Sequence, residues 1–285
     1  MVMFILTFHK RRPWVLLIGL ILNLYVAPIA ATDLLLDTVH MPAGVKSCGT
    51  GKVATVLSGD RFQLENGGMV SLAEVKAPEY WSPEAPHKSW PLSHDAKAAL
   101  TAALKKEPLE FFCSGQAKSA QGELIAHVRT GSGRWVQLDL VKDGFVYFMP
   151  HGQPPRLASR LRTVEAEARA GKRGIWAHES LGVKLAEGDE LRPGWFQVIV
   201  GKVTSEAKRK DRMYLNFGDD WSRDFTIEIP SRLYRSLPEI TGEQGGFFGK
   251  TVEVRGWVEW AGGPKIILEF AEQLIVMPGI KNQRR

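Results

Sequence analysis

Three short alternating segments separated by tight turns occupy residues 52–75 and constrain the fold more than any other feature. Apolar and polar side chains alternate along residues 52–57, 61–64 and 69–75. Ser58-Gly59-Asp60 predicts the first turn, and Asn66-Gly67-Gly68 is a strong signal for a β-hairpin. A period of two over such short segments is typical of strands, so this stretch is predicted to form an antiparallel meander.

Helices and further strands are predicted between this meander and residue 179. Ser93 is placed as the cap of an alanine-rich helix that runs through Lys106. The other predicted elements are strands over 109–113 and 123–129, a short helix from near 135 to near 144, and a helix over 157–170. This half of the chain is therefore predicted to be mainly β, with helices packed on the strands.

A second unit of short strands is predicted to begin near Arg192-Pro193-Gly194. Three strands, a short helical piece around residues 233–237 and three more strands follow one another up to residue 276. Short strands with one inserted helix favour a small Greek-key barrel of the oligonucleotide/oligosaccharide-binding (OB) type over residues 193–278. Residues 180–192 are predicted to be the linker between the two units.

The N-terminal segment has the order expected of an export signal. Lys10-Arg11-Arg12 precedes an apolar run from Trp14 to Val26, which ends in small residues up to Ala31. Residues 1–31 are therefore predicted to be a cleaved signal, with an uncleaved anchor as the alternative. No other stretch approaches membrane-spanning length, so no stable membrane span is expected after removal of the signal. The mature protein is expected to be periplasmic or secreted.

The formal charge of +6 does not identify a partner. The composition is 44% hydrophobic and 24% charged, which is ordinary for a globular protein and excludes wholesale disorder. Three bases lie in residues 1–31 and three in the last five residues, which leaves 31 bases and 31 acids between them. The basic excess is therefore confined to the two ends, and the body nets zero.

Two cysteines, Cys48 and Cys113, are present. In an oxidising compartment an even number suggests a disulfide, and two unpaired buried thiols are the alternative. Neither cysteine lies in a CxxC or Cys/His spacing, so a zinc site is not expected.

Several motifs between residues 48 and 179 resemble, in order and spacing, those of the staphylococcal-nuclease (thermonuclease-like) family. They are Ser58-Gly-Asp60, where the family has D-G-D; residues 70–79, VSLAEVKAPE, where it has V-R-L-x-G-I-D-A-P-E; Gln121-Gly-Glu123, where it has Y-G-R; and Glu165–Arg169 with the ending Gly174-Ile-Trp176. The resemblance implies a five-stranded OB-type barrel with packed helices. In the family's strand order Cys48 and Cys113 lie side by side, which implies that they form a disulfide.

The resemblance also implies a nuclease site, and its key positions are largely changed. A calcium-dependent nuclease of this family uses carboxylates for the metal, a glutamate for the water and two arginines for the phosphate. Of these, Asp60 is kept at a metal position and Glu79 at the general-base position. Four other positions have changed: Ser58 and Lys76 stand for aspartates, Ser71 and Glu123 for arginines. Lys76 is predicted to fill the metal's place and to pair with Asp60 or Glu79.

Three functional interpretations follow from these residues. The leading interpretation is a catalytically degenerate nuclease domain that serves as a binding module, without a cofactor, for nucleic acid or an envelope protein. The first alternative is an active metal-dependent phosphodiesterase, in which calcium is bound and Arg61, Arg129 or Arg134 replaces the lost arginines. The second alternative is a structural or assembly protein that uses the old cleft for protein contacts.

A basic stretch in the second unit has two interpretations. Lys208-Arg209-Lys210 with Arg212 has the composition of a phosphate-contacting segment, and a solvated hairpin explains it equally. Nearby aromatic residues favour either a stacking surface or a barrel core; they are Tyr214, Phe217, Trp221 and Phe225.

Overall fold

The computed structural model describes residues 44–278, except 82–86, 105–106, 116, 152–154, 189–190, 221–222 and 242–244. The predicted export segment, residues 1–31, and Trp221 lie outside the described residues. Within the described part of the chain, no helix is both long and apolar enough to cross a membrane.

The N-terminal part, residues 44–181, consists of short strands with three α-helices. Its elements are β1 (Lys46–Gly51), β2 (Val53–Val56), β3 (Arg61–Leu64), β4 (Met69–Leu72), β5 (Val75–Lys76), α1 (Ser93–Ala103), β6 (Leu109–Cys113), β7 (Leu124–Thr130), α2 (Val136–Lys142), β8 (Tyr147–Phe148) and α3 (Pro155–Ala170). A 3-10 turn over Gly174–Ala177 follows. The predicted mainly β character with packed helices is confirmed.

Six of these strands form one sheet in the order β1-β6-β7-β4-β3-β2. Strand β4 runs parallel to β7, and the other neighbouring strands are antiparallel. Strands β1 and β2 are separated only by Lys52, so one continuous run of chain pairs with β6 at one margin and with β3 at the other. The apolar faces of these strands pack against α1, α2 and α3.

Three details of the N-terminal part differ from the sequence predictions. Residues 46–47, predicted to be irregular, begin β1, because they pair with β6. Ser93 does not cap α1 but is its first residue, and Leu92 precedes it in the left-handed region with φ of 58°. The strand predicted over 69–75 is interrupted at Glu74, whose φ of 64° is incompatible with continued strand geometry.

The C-terminal part, residues 184–278, is built almost wholly from strands. Its elements are β9 (Lys184–Leu185), β10 (Phe196–Lys202), β11 (Ser205–Arg209), β12 (Arg212–Asn216), β13 (Thr226–Pro230), a 3-10 helix (Ser231–Ser236), α4 (Pro238–Thr241), β14 (Thr251–Trp257), β15 (Glu259–Trp260), β16 (Pro264–Ile267), a 3-10 turn (Ala271–Gln273) and β17 (Leu274–Val276). Lys208 and Arg209, predicted to lie in a turn, belong to β11, because they pair with β12 and the reversal comes only at Lys210 and Asp211.

The pairing of the C-terminal strands repeats that of the N-terminal part. Strand β12 pairs with β11 and β13, β13 runs parallel to β16, β16 pairs with β15, and β14 pairs with β10. The pairs β10/β11 and β14/β15 are each nearly continuous in sequence. Phe217 and Phe225 are buried in the core of this part, so the core interpretation of these two aromatics is confirmed.

An aromatic cluster joins the two parts. Trp90 stacks on Trp195 with 4.3 Å between ring centroids and 8° between ring planes. Phe196 packs in the same cluster with Tyr147, whose hydroxyl donates a hydrogen bond to the carbonyl of buried Leu181. The start of the predicted linker, residues 180–192, thus packs between the two parts; its role as a boundary remains a prediction.

A buried ionic cluster lies beside this aromatic cluster. The guanidinium of Arg255 on β14 contacts both carboxylate oxygens of Glu165 on α3, at 2.9 and 3.1 Å. It also donates to Glu253 at 2.6 Å, and Arg169 bridges the same two glutamates. The side chains of Arg255 and Glu165 are only 2% and 3% exposed. Since desolvated charges this close are stable only when paired, the cluster locks α3 to β14.

The disulfide implied by the resemblance is present between Cys48 and Cys113. It connects the start of β1 to the end of β6, which are neighbouring antiparallel strands. The bridge closes a stretch with a sequence separation of 65, and loop entropy gives such a bridge about 4 kcal/mol.

A buried histidine makes the stability of the N-terminal part sensitive to acid. Burial lowers the pKa of His127 from 6.5 to about 4, and neither ring nitrogen has a hydrogen-bond partner among the described residues. Below pH 6.5 the unfolded chain binds a proton that the folded chain rejects, so stability falls from there down to about pH 4. This loss amounts to about 3 kcal/mol.

We expect His127→Phe to remove that acid-sensitive share, because phenylalanine takes the space without a titrating group. Denaturant unfolding above pH 6.5 and near pH 4 measures it. His94→Phe, at an exposed position, is the matched control and should behave like the wild type. An unchanged pH slope in His127→Phe would contradict the assignment.

Candidate functional site

The residues at the key positions of the predicted site come together at one edge of the N-terminal sheet. Asp60 directly precedes β3, Ser71 lies on β4, Lys76 ends β5, and Glu123 precedes β7. Arg61 pairs with Ser71 across the sheet, and Ser71 pairs with Ile125. The break at Glu74 separates β4 from β5 and so brings Lys76 back over Asp60.

A lysine ammonium lies between the two carboxylates retained from the motif. Nζ of Lys76 is 2.6 Å from Oε1 of Glu79 and 3.3 Å from Oδ2 of Asp60. Burial alone would lower the pKa of Lys76, but the two carboxylates outweigh it and raise the pKa. The ion pair predicted for Lys76 is present, and it involves both partners.

Asp60 is held in place from three directions. Its Oδ1 accepts a hydrogen bond from the Ser58 hydroxyl at 2.6 Å, and its Oδ2 accepts one from the backbone N–H of Ala77 at 3.0 Å. Burial opposes ionisation, but the charge of Lys76 and these hydrogen bonds prevail and lower the pKa of Asp60. Asp60 is therefore an ionised, fully engaged carboxylate at neutral pH.

Glu123 organises the other side of the site. Its carboxylate accepts a hydrogen bond from the Ser71 hydroxyl at 2.6 Å and forms an ion pair with Arg61. Although partial burial works against ionisation, these two partners lower the pKa of Glu123. The two positions where the motif calls for arginine thus form a closed contact with each other, and Arg61 is tied into it.

The other two arginines considered as replacements do not reach this site. Arg129 pairs with Glu110 on β6, and Arg134 pairs with Asp139 on α2 at 2.7 Å. Of the three candidates only Arg61 lies at the site, and there its charge is balanced by Glu123.

A tryptophan from the C-terminal part covers the ammonium. The ring of Trp257, at the end of β14, has its centroid 5.4 Å from Nζ of Lys76, within cation–π distance. Sequence reasoning missed Trp257 because no local signal connects it with Lys76. Trp257 and His151 line one side of a cavity of about 600 Å³ above the site. Its charged lining is Asp60, Glu74 and Glu123 against Arg61 and Lys76.

The side chains present do not fit a divalent metal. Calcium requires six to eight oxygen ligands, and a positive ammonium occupies the space between the two carboxylates that would supply some of them. Among the described residues, no group of three or more histidine, cysteine, aspartate or glutamate side chains is placed to hold an ion.

Residues 69–178 match the family model described as staphylococcal nuclease homologue. This region is a staphylococcal-nuclease-like domain. The match includes β4 through the 3-10 turn at Gly174–Ala177, and with it Ser71, Lys76, Glu79 and Glu123. No curated protein matches the chain. The nuclease-like domain therefore carries its family's framework with an altered set of charges at the site.

Proposed function

We propose that the nuclease-like domain has lost hydrolysis and that the chain is an exported binding protein. The proposal is carried by the ammonium of Lys76 between the carboxylates of Asp60 and Glu79. An internal cation already balances both carboxylates, so a divalent ion would have to displace a bonded, largely buried side chain. Without a metal, the site has no Lewis acid to activate water or stabilise a phosphorane-like charge.

The missing arginines support the same conclusion. Each preorganised stabiliser of transition-state charge is worth on the order of 100- to 1,000-fold in rate. Here Ser71 and Glu123 occupy both arginine positions, and Glu123 would repel a phosphate. Glu79 has no metal-bound water to act on, and its carboxylate is bonded to Lys76.

We infer further that both parts of the chain are five-stranded OB-type barrels. In each part the third strand runs parallel to the fifth, and one nearly continuous run of chain pairs at both margins. Barrels of this type commonly present a ligand-binding face, which suits a binding role.

Export is supported by two features. Residues 1–31 have the order of a signal, basic then apolar then small, with an uncleaved anchor as the alternative. The Cys48–Cys113 disulfide fits an oxidising compartment, where such bonds persist. The binding partner would then be nucleic acid or an envelope protein.

The old cleft itself suits a protein contact better than a phosphate chain. Three acids and two bases line the cavity, so its charge opposes a polyanion. Trp257 already places a protein side chain over Lys76. This contact favours assembly through the cleft as the second candidate function.

Digestion of single- and double-stranded DNA and RNA with calcium, against a chelator, tests the loss of hydrolysis. We expect no calcium-dependent cleavage, and equal results for the wild type and Glu79→Gln. Calorimetry should give no heat of calcium binding. Calcium-dependent cleavage that is lost in Glu79→Gln would overturn the proposal and establish the metal-dependent phosphodiesterase.

A gel shift at increasing salt tests the partner. Binding to nucleic acid through phosphates must weaken steeply as ionic strength rises. A shift with that dependence supports a nucleic-acid partner, and the absence of any shift makes an envelope protein the partner to seek.

A further inference from the structure

Four basic side chains cluster at one tip of the C-terminal part. Lys208 and Arg209 end β11, Lys210 lies in the turn to β12, and Arg235 lies in the 3-10 helix after β13. The ammonium of Lys208 lies over the ring of Tyr234, 5.3 Å from its centroid, which brings the helix beside the hairpin. The backbone N–H of Ser231 also donates to the carbonyl of Asp211 in the turn. We call Lys208, Arg209, Lys210 and Arg235 the basic tip.

The charges of the basic tip are exposed and not balanced locally. All four side chains are exposed, and among the described residues no carboxylate lies within 4.0 Å of their nitrogens. The neighbouring Arg212 differs, because Glu228 pairs with it. The basic tip is therefore available to an external anion.

The fold gains nothing from these bases. Lys210 has φ of 47°, a left-handed conformation in which glycine or asparagine is the usual turn residue. Arg209 faces Arg212 directly across the hairpin, and like charges in that position destabilise a strand pair. Their presence where folding disfavours them points to a function at the surface.

The balanced net charge of the C-terminal part conceals a separation of charge along its strands. The basic hairpin lies at one end of β12, and the turn between β12 and β13 at the other end carries Asp219, Asp220 and Asp224. One end of this part is thus locally positive although its bases and acids are equal in number.

A strongly exposed aromatic side chain lies next to the basic tip. Phe248 is 69% exposed, in a loop where Gly245, Gly246 and Gly249 all have positive φ. The loop is fastened to β11, because the carboxylate of Glu206 accepts hydrogen bonds from the N–H groups of Phe247 and Phe248. Glu206 is two residues from Lys208 on the same strand face, about 7 Å along β11.

We infer that the basic tip and Phe248 form a surface that binds anionic lipid membranes. Lysine and arginine side chains on turns bind anionic headgroups, and one projecting aromatic ring enters the interface between headgroups and acyl chains. A single-stranded nucleic acid would call for a row of open aromatic faces, whereas Lys208 covers Tyr234 and leaves Phe248 alone. The inference rests on the export part of the proposed function and is independent of the loss of hydrolysis.

Co-sedimentation of the full chain with vesicles tests this inference. Vesicles that contain phosphatidylglycerol should bind the chain, and the excess over phosphatidylcholine vesicles should disappear at high salt. The phosphatidylcholine arm measures binding through the apolar N-terminal segment, which does not depend on lipid charge. Since each base near the surface contributes about fivefold, Lys208→Glu/Lys210→Glu should weaken the excess binding by roughly 30-fold or more.

Two further variants make the result specific. Lys52→Glu/Lys172→Glu changes the net charge equally at exposed positions outside the basic tip and should leave the excess binding nearly unchanged. Phe248→Ser should weaken it by roughly tenfold through lost apolar burial. Equal loss in both double variants would overturn the inference, since only net charge would then matter. Tighter binding to an oligonucleotide than to vesicles, lost in Lys208→Glu/Lys210→Glu, would overturn it in favour of nucleic acid.

Discussion

Lys76→Asp is expected to lower the free energy of unfolding by about 3–5 kcal/mol in the presence of a chelator, because it leaves two largely buried carboxylates without their cation. The same substitution places a third carboxylate beside Asp60 and Glu79. Calcium is therefore expected to bind and, at a hundred times its dissociation constant, to return about 2.7 kcal/mol. Denaturant unfolding with chelator and with increasing calcium measures both effects without an activity assay.

Lys76→Met is the matched control for this experiment. It removes the same ammonium but supplies no new ligand, so it should lose stability and not regain it with calcium. The wild type should be insensitive to calcium throughout. Stabilisation of the wild type by calcium, as strong as that of Lys76→Asp, would mean that a metal fits beside Lys76 and would overturn the proposed loss of hydrolysis.

Arg255→Leu should destabilise the chain by about 3–5 kcal/mol, because Glu165 and Glu253 then lose a buried cation that both share. The pKa of Glu253 is about 2 in the folded chain, since the charges of Arg255 and Arg169 overcome the effect of burial. The cluster also joins α3 to β14. We therefore expect calorimetry to show one unfolding transition for the wild type and two for Arg255→Leu, as the two parts come apart.

Arg129→Leu provides the comparison for Arg255→Leu. Its partner is Glu110, and both side chains of that pair are partly exposed. Surface ion pairs contribute only about 0–1 kcal/mol, so this variant should unfold nearly as the wild type does. An equal loss in the two variants, or a single transition in Arg255→Leu, would show that the buried cluster does not hold the parts together.

Local signals were sufficient for the elements near the site. Asn66-Gly67-Gly68 predicts a hairpin because Gly67 adopts a left-handed φ of 83° that few other residues tolerate. Ser58-Gly59-Asp60 predicts a turn, and a side chain at Gly59 would collide with Ala77 and Ala96 at under 3 Å. The pair formed by Lys76 and Glu79 was within reach because the two are three residues apart.

Contacts between distant segments could not be predicted in this way. The break at Glu74 has no sequence signal, since glutamate rarely adopts a positive φ. Trp257 reaches Lys76, and Arg255 reaches Glu165, only once the N-terminal and C-terminal parts have packed together. No pattern in either part alone indicates that packing, and the domain boundaries remain predictions for the same reason.

The disulfide between Cys48 and Cys113 gives the chain a covalent topology with a consequence for proteolysis. Together with the backbone it closes a ring, and β2 to β5 and helix α1 all lie within that ring. A single protease cut inside the ring therefore leaves one covalent molecule, which separates into two fragments only after reduction. A protein of this design tolerates a nick among its site-bearing strands without losing either piece to its surroundings.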